Sequence, residues 1–273
     1  MSGNKKRKKQ KKSINSYLKL IILFLLLISI IITVFVLNKT KRIDPNSKQV
    51  SELYTYLGSN DPNYCEGIIT YDSKKITYTK IKNKIKVCNA FINSSEDDID
   101  IIKIDKTKKN NNCTIGNVTF ATEKTDDDVC TVQRIKTKKL KETYKKIYGK
   151  EMNNTKSFDL NSTTICYSDN DYYYCGLKEK FTYIIGAETK TYRNIKKVTK
   201  KHDYLYIYDY FIKTEDNECY LDFKTNKSNP KCSKNLKDNK KIDYSFIKIN
   251  GKKYKHTFKK INENYSWVSS EPL

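Results

Sequence analysis

Tyr204-Leu205-Tyr206-Ile207-Tyr208-Asp209-Tyr210 is the stretch from which the fold of this chain can be worked out. Its tyrosines alternate strictly with two aliphatic residues and an aspartate. Because successive side chains of a β-strand point to opposite faces, the four tyrosines share one face, while Leu205 and Ile207 lie on the other. The stretch therefore predicts a strand with one tyrosine-covered face and one apolar face.

The sequence on both sides of this strand predicts further antiparallel pairing. Polar turn residues separate runs that are rich in aromatic and β-branched residues, which is typical of hairpins. Residues 192–198 precede the strand across a turn at 200–203. Two more hairpins are predicted, one from 158–167 to 172–177 across the turn 168–171, and one from 254–258 to 265–268 across Asn262-Glu-Asn.

Two helices are predicted upstream of these strands. The first has Thr77 as its cap and apolar residues at helical spacing up to Ile92. The second begins at Thr137, carries Leu140, Tyr144 and Ile147 on one face, and ends at Gly149 in a left-handed conformation. The stretch 243–251 is ambiguous, because it fits either a strand or a short helix capped by Asp243 and stopped by Gly251.

Helices followed by a run of antiparallel strands predict an α+β fold, with about two helices packed on an antiparallel sheet that is able to curve. We divide residues 51–273 into an N-terminal part, 51–136, and a C-terminal α+β part, 137–273. The sequence leaves open whether these parts form one domain or two.

The run from Leu20 to Leu37 is interrupted only by Ser29 and Thr33. With residues 17–19 it is long enough to cross the roughly 30 Å hydrocarbon core, so a transmembrane helix is expected at 17–37. Lysines are denser before the run than after it, which places residues 1–16 in the cytoplasm as a basic tail. The expected localisation is the cell membrane, with an uncleaved signal anchor, a stalk at 38–50 and the remainder outside the cytoplasm.

All eight cysteines follow residue 64. An even number of cysteines in an oxidising compartment indicates disulfide bonds, and their spacing favours sequential pairing. None of the cysteines forms the close pairs that a zinc site needs. The expected bonds are Cys65–Cys88, Cys113–Cys130, Cys166–Cys175 and Cys219–Cys232.

The chain has 54 Lys and Arg against 31 Asp and Glu, for a formal charge of +23. Such a charge favours anionic partners, among them lipid headgroups and acidic wall polymers. An alternative explanation is codon bias, because Lys, Asn, Ile and Tyr are all abundant in this chain. The expected partners are the membrane, and an anionic envelope polymer or another envelope protein. Nucleic acid is not expected.

The sequence contains no recognisable catalytic motif, so no catalytic, cofactor-binding or metal-binding residue is predicted, and no cofactor. His202 is expected in a solvated turn and His256 as a packed strand residue. The acidic runs at 96–100 and 126–128 read as solvated loops. Ser269 and Ser270 are expected to fray near the C-terminus. If the chain is an enzyme, the pair most suited to acid–base chemistry is Asp209 with His256.

One resemblance can be drawn. The segments Tyr254-Lys-His-Thr-Phe-Lys-Lys and Tyr265-Ser-Trp-Val-Ser-Ser-Glu-Pro, with the helix end Lys-Lys-Ile-Tyr-Gly, resemble uncharacterised single-pass surface proteins of low-GC Gram-positive bacteria. The resemblance covers about the last half of the chain. The resemblance implies an extracytoplasmic location, but it implies no activity.

Three functional hypotheses follow from these observations. The first is a non-enzymatic extracytoplasmic module that binds a partner or has a structural role. The second is an envelope-acting hydrolase that uses Asp209 and His256. The third is a basic surface that binds anionic wall polymers.

Overall fold

The computed structural model describes residues 21–30, 40–58, 70–105, 113–122, 128–153, 156–160, 163–169, 171–179, 189–222, 228–239 and 241–273. The chain forms two compact units, one of Met1–Lys41 with Lys200–His202 and one of Arg42–Thr199 with Asp203–Leu273. The first unit contains the helix α1 at residues 21–30. The second contains the helices that follow residue 47 and the sheets, except for the strand-end residues Lys41, Lys200 and Lys201.

The larger sheet is built around the predicted tyrosine strand. This strand, β11, pairs antiparallel with β13 and at its far end with β12. The strand order is β1-β10-β11-β13-β14-β2, with β12 beside β11. The bounds are β1 Lys41–Ile43, β2 Ile76–Thr77, β10 Lys190–Lys201, β11 Tyr204–Glu215, β12 Glu218–Tyr220, β13 Lys252–Ile261 and β14 Asn264–Pro272.

A second sheet of five strands has the order β3-β6-β9-β8-β7, and a separate two-stranded ribbon joins β4 to β5. In this sheet Cys166 on β8 lies directly opposite Cys175 on β9. The bounds are β3 Ile99–Asp105, β4 Thr114–Ile115, β5 Val118–Thr119, β6 Val129–Lys136, β7 Ser157–Asp159, β8 Thr164–Ser168 and β9 Tyr172–Leu177.

Five α-helices accompany the sheets in the described part of the second unit. Two of the predicted helical segments are among them, and the ambiguous segment 243–251 is a helix. Asp243 caps that helix, since its carboxylate accepts a 2.9 Å hydrogen bond from the Phe246 amide. The bounds are α2 Lys48–Thr55, α3 Asn83–Ile92, α4 Thr137–Tyr148, α5 Pro230–Asn239 and α6 Tyr244–Asn250.

The helix boundaries differ from the sequence prediction in two places. Thr77 lies in β2 and at the cap position of a short 3₁₀ helix, Tyr78–Lys80, where its side chain makes no cap hydrogen bond, and α3 begins only at Asn83 after Lys82. The α4 cap position is Lys136, and no side chain caps this helix. The end of α4 is as predicted, because Gly149 has φ 61° and the left-handed conformation that a residue without Cβ adopts at little cost.

The main core fills the space between the larger sheet and α2, α3 and α4. It contains the predicted apolar face of α4, since Leu140, Tyr144 and Ile147 are fully buried. Leu205 and Ile207 of β11 enter the same core, as the alternation of the sequence predicts. The helices are therefore positioned by one face of the larger sheet.

The predicted fold class has to be corrected. The structure is mostly antiparallel sheet, and among its described helices none is long and apolar enough to cross a membrane. Within the predicted span 17–37 the structure describes residues 21–30, and the remainder of the span lies outside the described residues. The finding that no described helix can cross a membrane contradicts both the α+β fold with a transmembrane anchor and the cell-membrane localisation.

Two smaller predictions about the chain also change. The predicted stalk 38–50 contains the strand β1 and the first residues of α2. The acidic run at 96–100 forms a short 3₁₀ helix, Glu96–Asp98, that leads into β3. The basic tail 1–16 lies outside the described residues, as do Asp126 and Asp127.

Three of the four expected disulfide bonds are present. Their Cα–Cα distances are 6.0 Å for Cys113–Cys130, 4.2 Å for Cys166–Cys175 and 5.7 Å for Cys219–Cys232. Cys65 is not among the described residues, so the expected bond to Cys88 is not described. Each of the three bonds joins a cysteine to the next cysteine along the chain, which is the predicted sequential pairing.

The packing of α4 predicts that substitutions on its buried face lower the free energy of unfolding far more than substitutions on its exposed face. Ile147→Ala removes fully buried methyl groups and should lower the free energy of unfolding by about 2–5 kcal/mol. Lys138→Ala on the exposed face should change it by less than about 0.5 kcal/mol. Urea unfolding followed by circular dichroism measures both, and equal effects would contradict the assigned facing of the helix.

Candidate functional site

Asp209 and His256, the pair expected if the chain is an enzyme, do come together. Asp209 on β11 lies opposite Tyr254 of β13, and His256 lies opposite Ile207, so the two side chains are diagonal neighbours on one sheet face. The distance from His256 Nε2 to Asp209 Oδ1 is 3.0 Å. Both side chains point towards the core, on the face that also carries Leu205 and Ile207.

A third residue extends the pair across the sheet. Ser270 of β14 lies directly opposite His256, and its Oγ is 2.7 Å from His256 Nδ1. The Trp267 indole N–H donates to the same Oγ at 3.0 Å. Trp267 reaches this position because the β13–β14 register shifts between Thr257 and Phe258, which brings Trp267 and Ser270 to one face.

Two tyrosines from outside the sheet complete the cluster. The hydroxyl of Tyr54 on α2 donates to Asp209 Oδ2 at 2.7 Å, and the hydroxyl of Tyr71 donates to the same oxygen. Burial, followed by nearby charges that include the Asp209 carboxylate, raises the pKa of both tyrosines well above its usual value. Both therefore remain hydrogen-bond donors throughout the physiological pH range.

The hydrogen bonds of this cluster form a chain in which each group donates to the next, from Trp267 through Ser270 and His256 to Asp209. An indole N–H only donates, so Ser270 accepts from Trp267 and its own proton is free to go to His256 Nδ1. The assignment in which His256 Nδ1 accepts from Ser270 and the Nε2–H group donates to Asp209 gives every polar hydrogen in the chain of bonds an acceptor. We call Tyr54, Tyr71, Asp209, His256, Trp267 and Ser270 the buried polar network.

The network contains the residue types of a catalytic Ser-His-Asp triad, but its burial does not suit catalysis. Asp209 and Ser270 are 1% exposed and His256 is 0% exposed. A nucleophilic serine has to reach a substrate carbon, and the reacting atoms must approach to about 3–3.5 Å. The arrangement instead suits a core in which each buried polar group is satisfied.

The predicted positions of the two histidines are confirmed. His256 is a packed residue of β13. His202 is exposed at the β10–β11 turn. The expectation that Ser269 and Ser270 fray is wrong, because β14 continues to Pro272 between β13 and β2. The position of Ser270 depends on the register between β13 and β14, which the sequence pattern does not indicate.

The buried polar network predicts a strong stability effect. Asp209→Asn replaces one of the two carboxylate oxygens that three donors share by an amide group that only donates, so a buried donor loses its acceptor and the free energy of unfolding should fall by about 1–3 kcal/mol. Asp203→Asn in the exposed turn is the matched control and should cost less than about 0.5 kcal/mol. Urea unfolding of both variants measures the difference.

A serine-reactive probe separates a structural role from a catalytic one. The full-length folded protein should not react at Ser270 with a fluorophosphonate, whereas the urea-unfolded protein gives the background rate. Mass spectrometry locates any modified serine. Rapid labelling of Ser270 in the folded protein would contradict the assignment and revive the hydrolase hypothesis.

The raised pKa values of Tyr54 and Tyr71 predict a loss of stability at alkaline pH. A tyrosine in the unfolded chain ionises near pH 10, whereas these two remain protonated in the fold. Their contribution is therefore fully present below pH 10 and is lost as pH rises above it, by up to about 1.4 kcal/mol per pH unit for each tyrosine. Urea unfolding between pH 7 and pH 11 tests this.

A matched variant assigns that pH dependence to the network. Tyr71→Phe should be less stable at pH 7 and should show a shallower decline above pH 10, because one titrating group is gone. Tyr244→Phe changes a tyrosine that is 46% exposed and should leave the decline unchanged. Identical declines in all three proteins would contradict the assignment.

The opposite face of β11 carries a different group of side chains. Tyr204 and Tyr206 stack on each other with ring centroids 6.3 Å apart and an interplanar angle of 16°. With Tyr208 they form a half-exposed row along the strand. We call this row and the lysines beside it the tyrosine–lysine face, which comprises Tyr204, Tyr206, Tyr208, Lys197, Lys255 and Lys259.

The lysines of this face lie over the tyrosine rings. Their Nζ atoms are 4.5 Å from the Tyr208 centroid for Lys197, 6.0 Å from Tyr206 for Lys255 and 5.8 Å from Tyr204 for Lys259. Cation–π attraction therefore holds positive charge along the row. Lys255 also forms an ion pair with Glu271, and this contact raises the pKa of the lysine and lowers that of the glutamate.

The far end of the same strand face is covered. Tyr210 and Ile212 of β11 pack with Phe246 and Ile247 of α6 and with the Cys219–Cys232 disulfide. The chain passes close to the strand at Gly251, where an added Cβ would lie 3.2 Å from Tyr210 Cβ and 2.5 Å from the Ile247 carbonyl oxygen. The tyrosine–lysine face is thus the part of β11 that α5 and α6 leave accessible.

Within the described residues no group of three or more His, Cys, Asp or Glu side chains is placed to hold a metal ion. No protein-family model, curated protein or solved structure matches the chain. The resemblance to Gram-positive surface proteins therefore stays a prediction. The function has to be argued from side-chain chemistry.

Proposed function

We propose that this protein is a disulfide-stabilised binding module of an oxidising, extracytoplasmic compartment, and that it binds an anionic envelope glycopolymer through the tyrosine–lysine face. The observation that carries the proposal is the row of half-exposed tyrosines with lysine ammonium groups held 4.5–6.0 Å from their centroids. The three disulfides support the compartment, because such bonds persist where the environment is oxidising.

The chemistry of the face fits a charged polymer of sugars or polyols. Tyrosine rings offer flat apolar surface and a hydroxyl at the edge, which suits contact with a sugar ring. Lysine ammonium groups attract phosphate or carboxylate groups and are long enough to adjust to their spacing. The formal charge of +23 favours the approach of a polyanion.

The proposal combines the binding module of the first hypothesis with the anionic polymer of the third, and two other readings have less support. An envelope hydrolase that uses Asp209 and His256 needs substrate access to side chains that are at most 1% exposed. A purely electrostatic surface does not need the tyrosines, which are stacked and ordered along one strand. The binding hypothesis accounts for both the charge and the aromatic row.

Binding of the full-length protein to purified wall teichoic acid tests the proposal. Tyr206→Ala should weaken binding about fivefold to tenfold, because one aromatic contact of about 1 kcal/mol or slightly more is lost. Lys259→Gln should weaken it by a smaller factor. Lys103→Gln makes the same charge change on an exposed residue of β3 and should have little effect.

Salt and an uncharged polymer provide the remaining controls. Binding should fall as sodium chloride is raised from 50 to 500 mM, because exposed charges are screened over about 8 Å at physiological ionic strength. Neutral dextran should bind much more weakly than teichoic acid. Equal binding of both polymers, or equal losses in Tyr206→Ala and Lys103→Gln, would contradict the proposal.

A further inference from the structure

A cleft of about 400 Å³ lies where the C-terminal ends of α2 and α3 meet the start of β3, and it shares no lining residue with the tyrosine–lysine face. A cleft of this size is within the range of small-molecule sites. Its wall combines a guanidinium group, a carboxylate and an apolar surface. The side chains that carry these three features are Arg193, Glu96, Phe91, Ile92 and Ile99.

The guanidinium group of Arg193 is held in place by its surroundings. Its Nη2 atom donates to the Gly58 carbonyl at 2.6 Å, and its Cζ atom lies 4.7 Å from the centroid of the Tyr54 ring. The Tyr54 hydroxyl in turn donates to Asp209 at 2.7 Å. The wall of the cleft therefore contains a positive group in a fixed position. A planar guanidinium that is held in this way suits the recognition of a carboxylate.

The same cleft contains a negative group. Glu96 is exposed and forms no ion pair within the described part of the chain, whereas the nearby Asp98 is paired with Lys139 at 3.2 Å. The last residues of α2 and α3 also line the cleft, and the carbonyl end of a helix carries partial negative charge. These groups favour a cation such as an ammonium group.

An apolar surface lines the cleft as well. Phe91 is 5% exposed, and Ile92 and Ile99 are half-buried against the main core. An apolar group that covers these side chains removes apolar surface from water, which is favourable. The cleft therefore favours a ligand with an apolar portion.

From these observations we propose that the cleft binds a free apolar α-amino acid, such as leucine. The carboxylate of the ligand accepts from the Arg193 guanidinium, and its ammonium group lies near Glu96 and the helix ends. Its side chain lies against Phe91, Ile92 and Ile99. A zwitterion offers each charged residue a group of opposite charge, whereas a simple carboxylate brings negative charge towards Glu96. This site is separate from the proposed polymer-binding function and does not depend on it.

Calorimetric titration of the full-length protein with leucine and three related compounds tests the site. Leucinamide, which has no carboxylate, should bind about tenfold more weakly than leucine because a charge-assisted hydrogen bond is lost. N-acetyl-leucine, which has no ammonium group, should bind about twofold to fivefold more weakly, since Glu96 is exposed to solvent. Glycine, which has no side chain, should bind more weakly by about tenfold or more. The absence of saturable heat with leucine, or equal binding of leucine and N-acetyl-leucine, would overturn the proposal.

Substitutions of the two charged residues should affect one ligand and not another. Arg193→Gln should weaken leucine binding about tenfold and leave leucinamide binding unchanged, because leucinamide has no carboxylate. Glu96→Gln should weaken leucine binding about twofold to fivefold and should not weaken N-acetyl-leucine binding. Asp97→Asn is the matched control, since this exposed neighbour of Glu96 does not line the cleft, and it should change each affinity by less than about twofold.

The pattern across the four ligands separates binding from folding. A variant that merely disturbs the fold weakens all of them together, so equal weakening of leucine and leucinamide by Arg193→Gln would contradict the proposed contact. Tyr206→Ala should leave leucine binding unchanged, and Arg193→Gln should leave teichoic acid binding unchanged. The two proposals therefore fail independently.

Discussion

The carboxylate of Asp209 is the constraint on which the arrangement of the core depends. A buried carboxylate is costly unless several donors surround it, and Asp209 accepts from His256, Tyr54 and Tyr71. Tyr54 and Tyr71 are 155 and 138 residues away along the chain. One oxygen atom of a central strand therefore fixes the positions of α2 and of the segment that contains Tyr71.

This constraint also explains why the two faces of β11 differ so much. The inner face combines Leu205 and Ile207 with Asp209, so it has to be sealed by helices and by aromatic rings. Tyr71 stacks on Phe211 at 4.2 Å and meets His256 edge-on at 5.0 Å. The outer face has no such requirement. Its tyrosines remain half-exposed wherever α5 and α6 do not cover them.

The sequence was sufficient to predict the features that depend on local pattern. Strict alternation identified β11 and its two faces, cysteine spacing gave the three described disulfides, and Gly149 marked the end of α4. It was insufficient for features that depend on register between distant strands. Ser270 meets His256 only because β14 lies beside β13 with a bulge near Trp267, and nothing in the local sequence indicates that bulge.

The start of α4 shows the same limit. The helix and its lysines were predicted, but Thr137 was expected to cap the helix with its side chain. Within the described part of the chain the Thr137 hydroxyl has no hydrogen-bond partner, and the Thr137 amide donates instead to the Asp171 carbonyl at 2.8 Å. Asp171 reaches this position because β6 pairs with β9, and the local sequence does not indicate that pairing.

The residue types of the buried polar network fit a catalytic role, whereas their burial fits a structural one. The burial decides between the two roles. Serine, histidine and aspartate within hydrogen-bond distance are what acyl transfer requires, yet the same three residues also satisfy one another in a dry core. Catalysis also needs a serine oxygen that a substrate can reach, whereas Ser270 is 1% exposed and its oxygen also accepts from the Trp267 indole. The accessible side chains of the tyrosine–lysine face are lysines and tyrosines, and the proposed binding function rests on their attraction for negative charge.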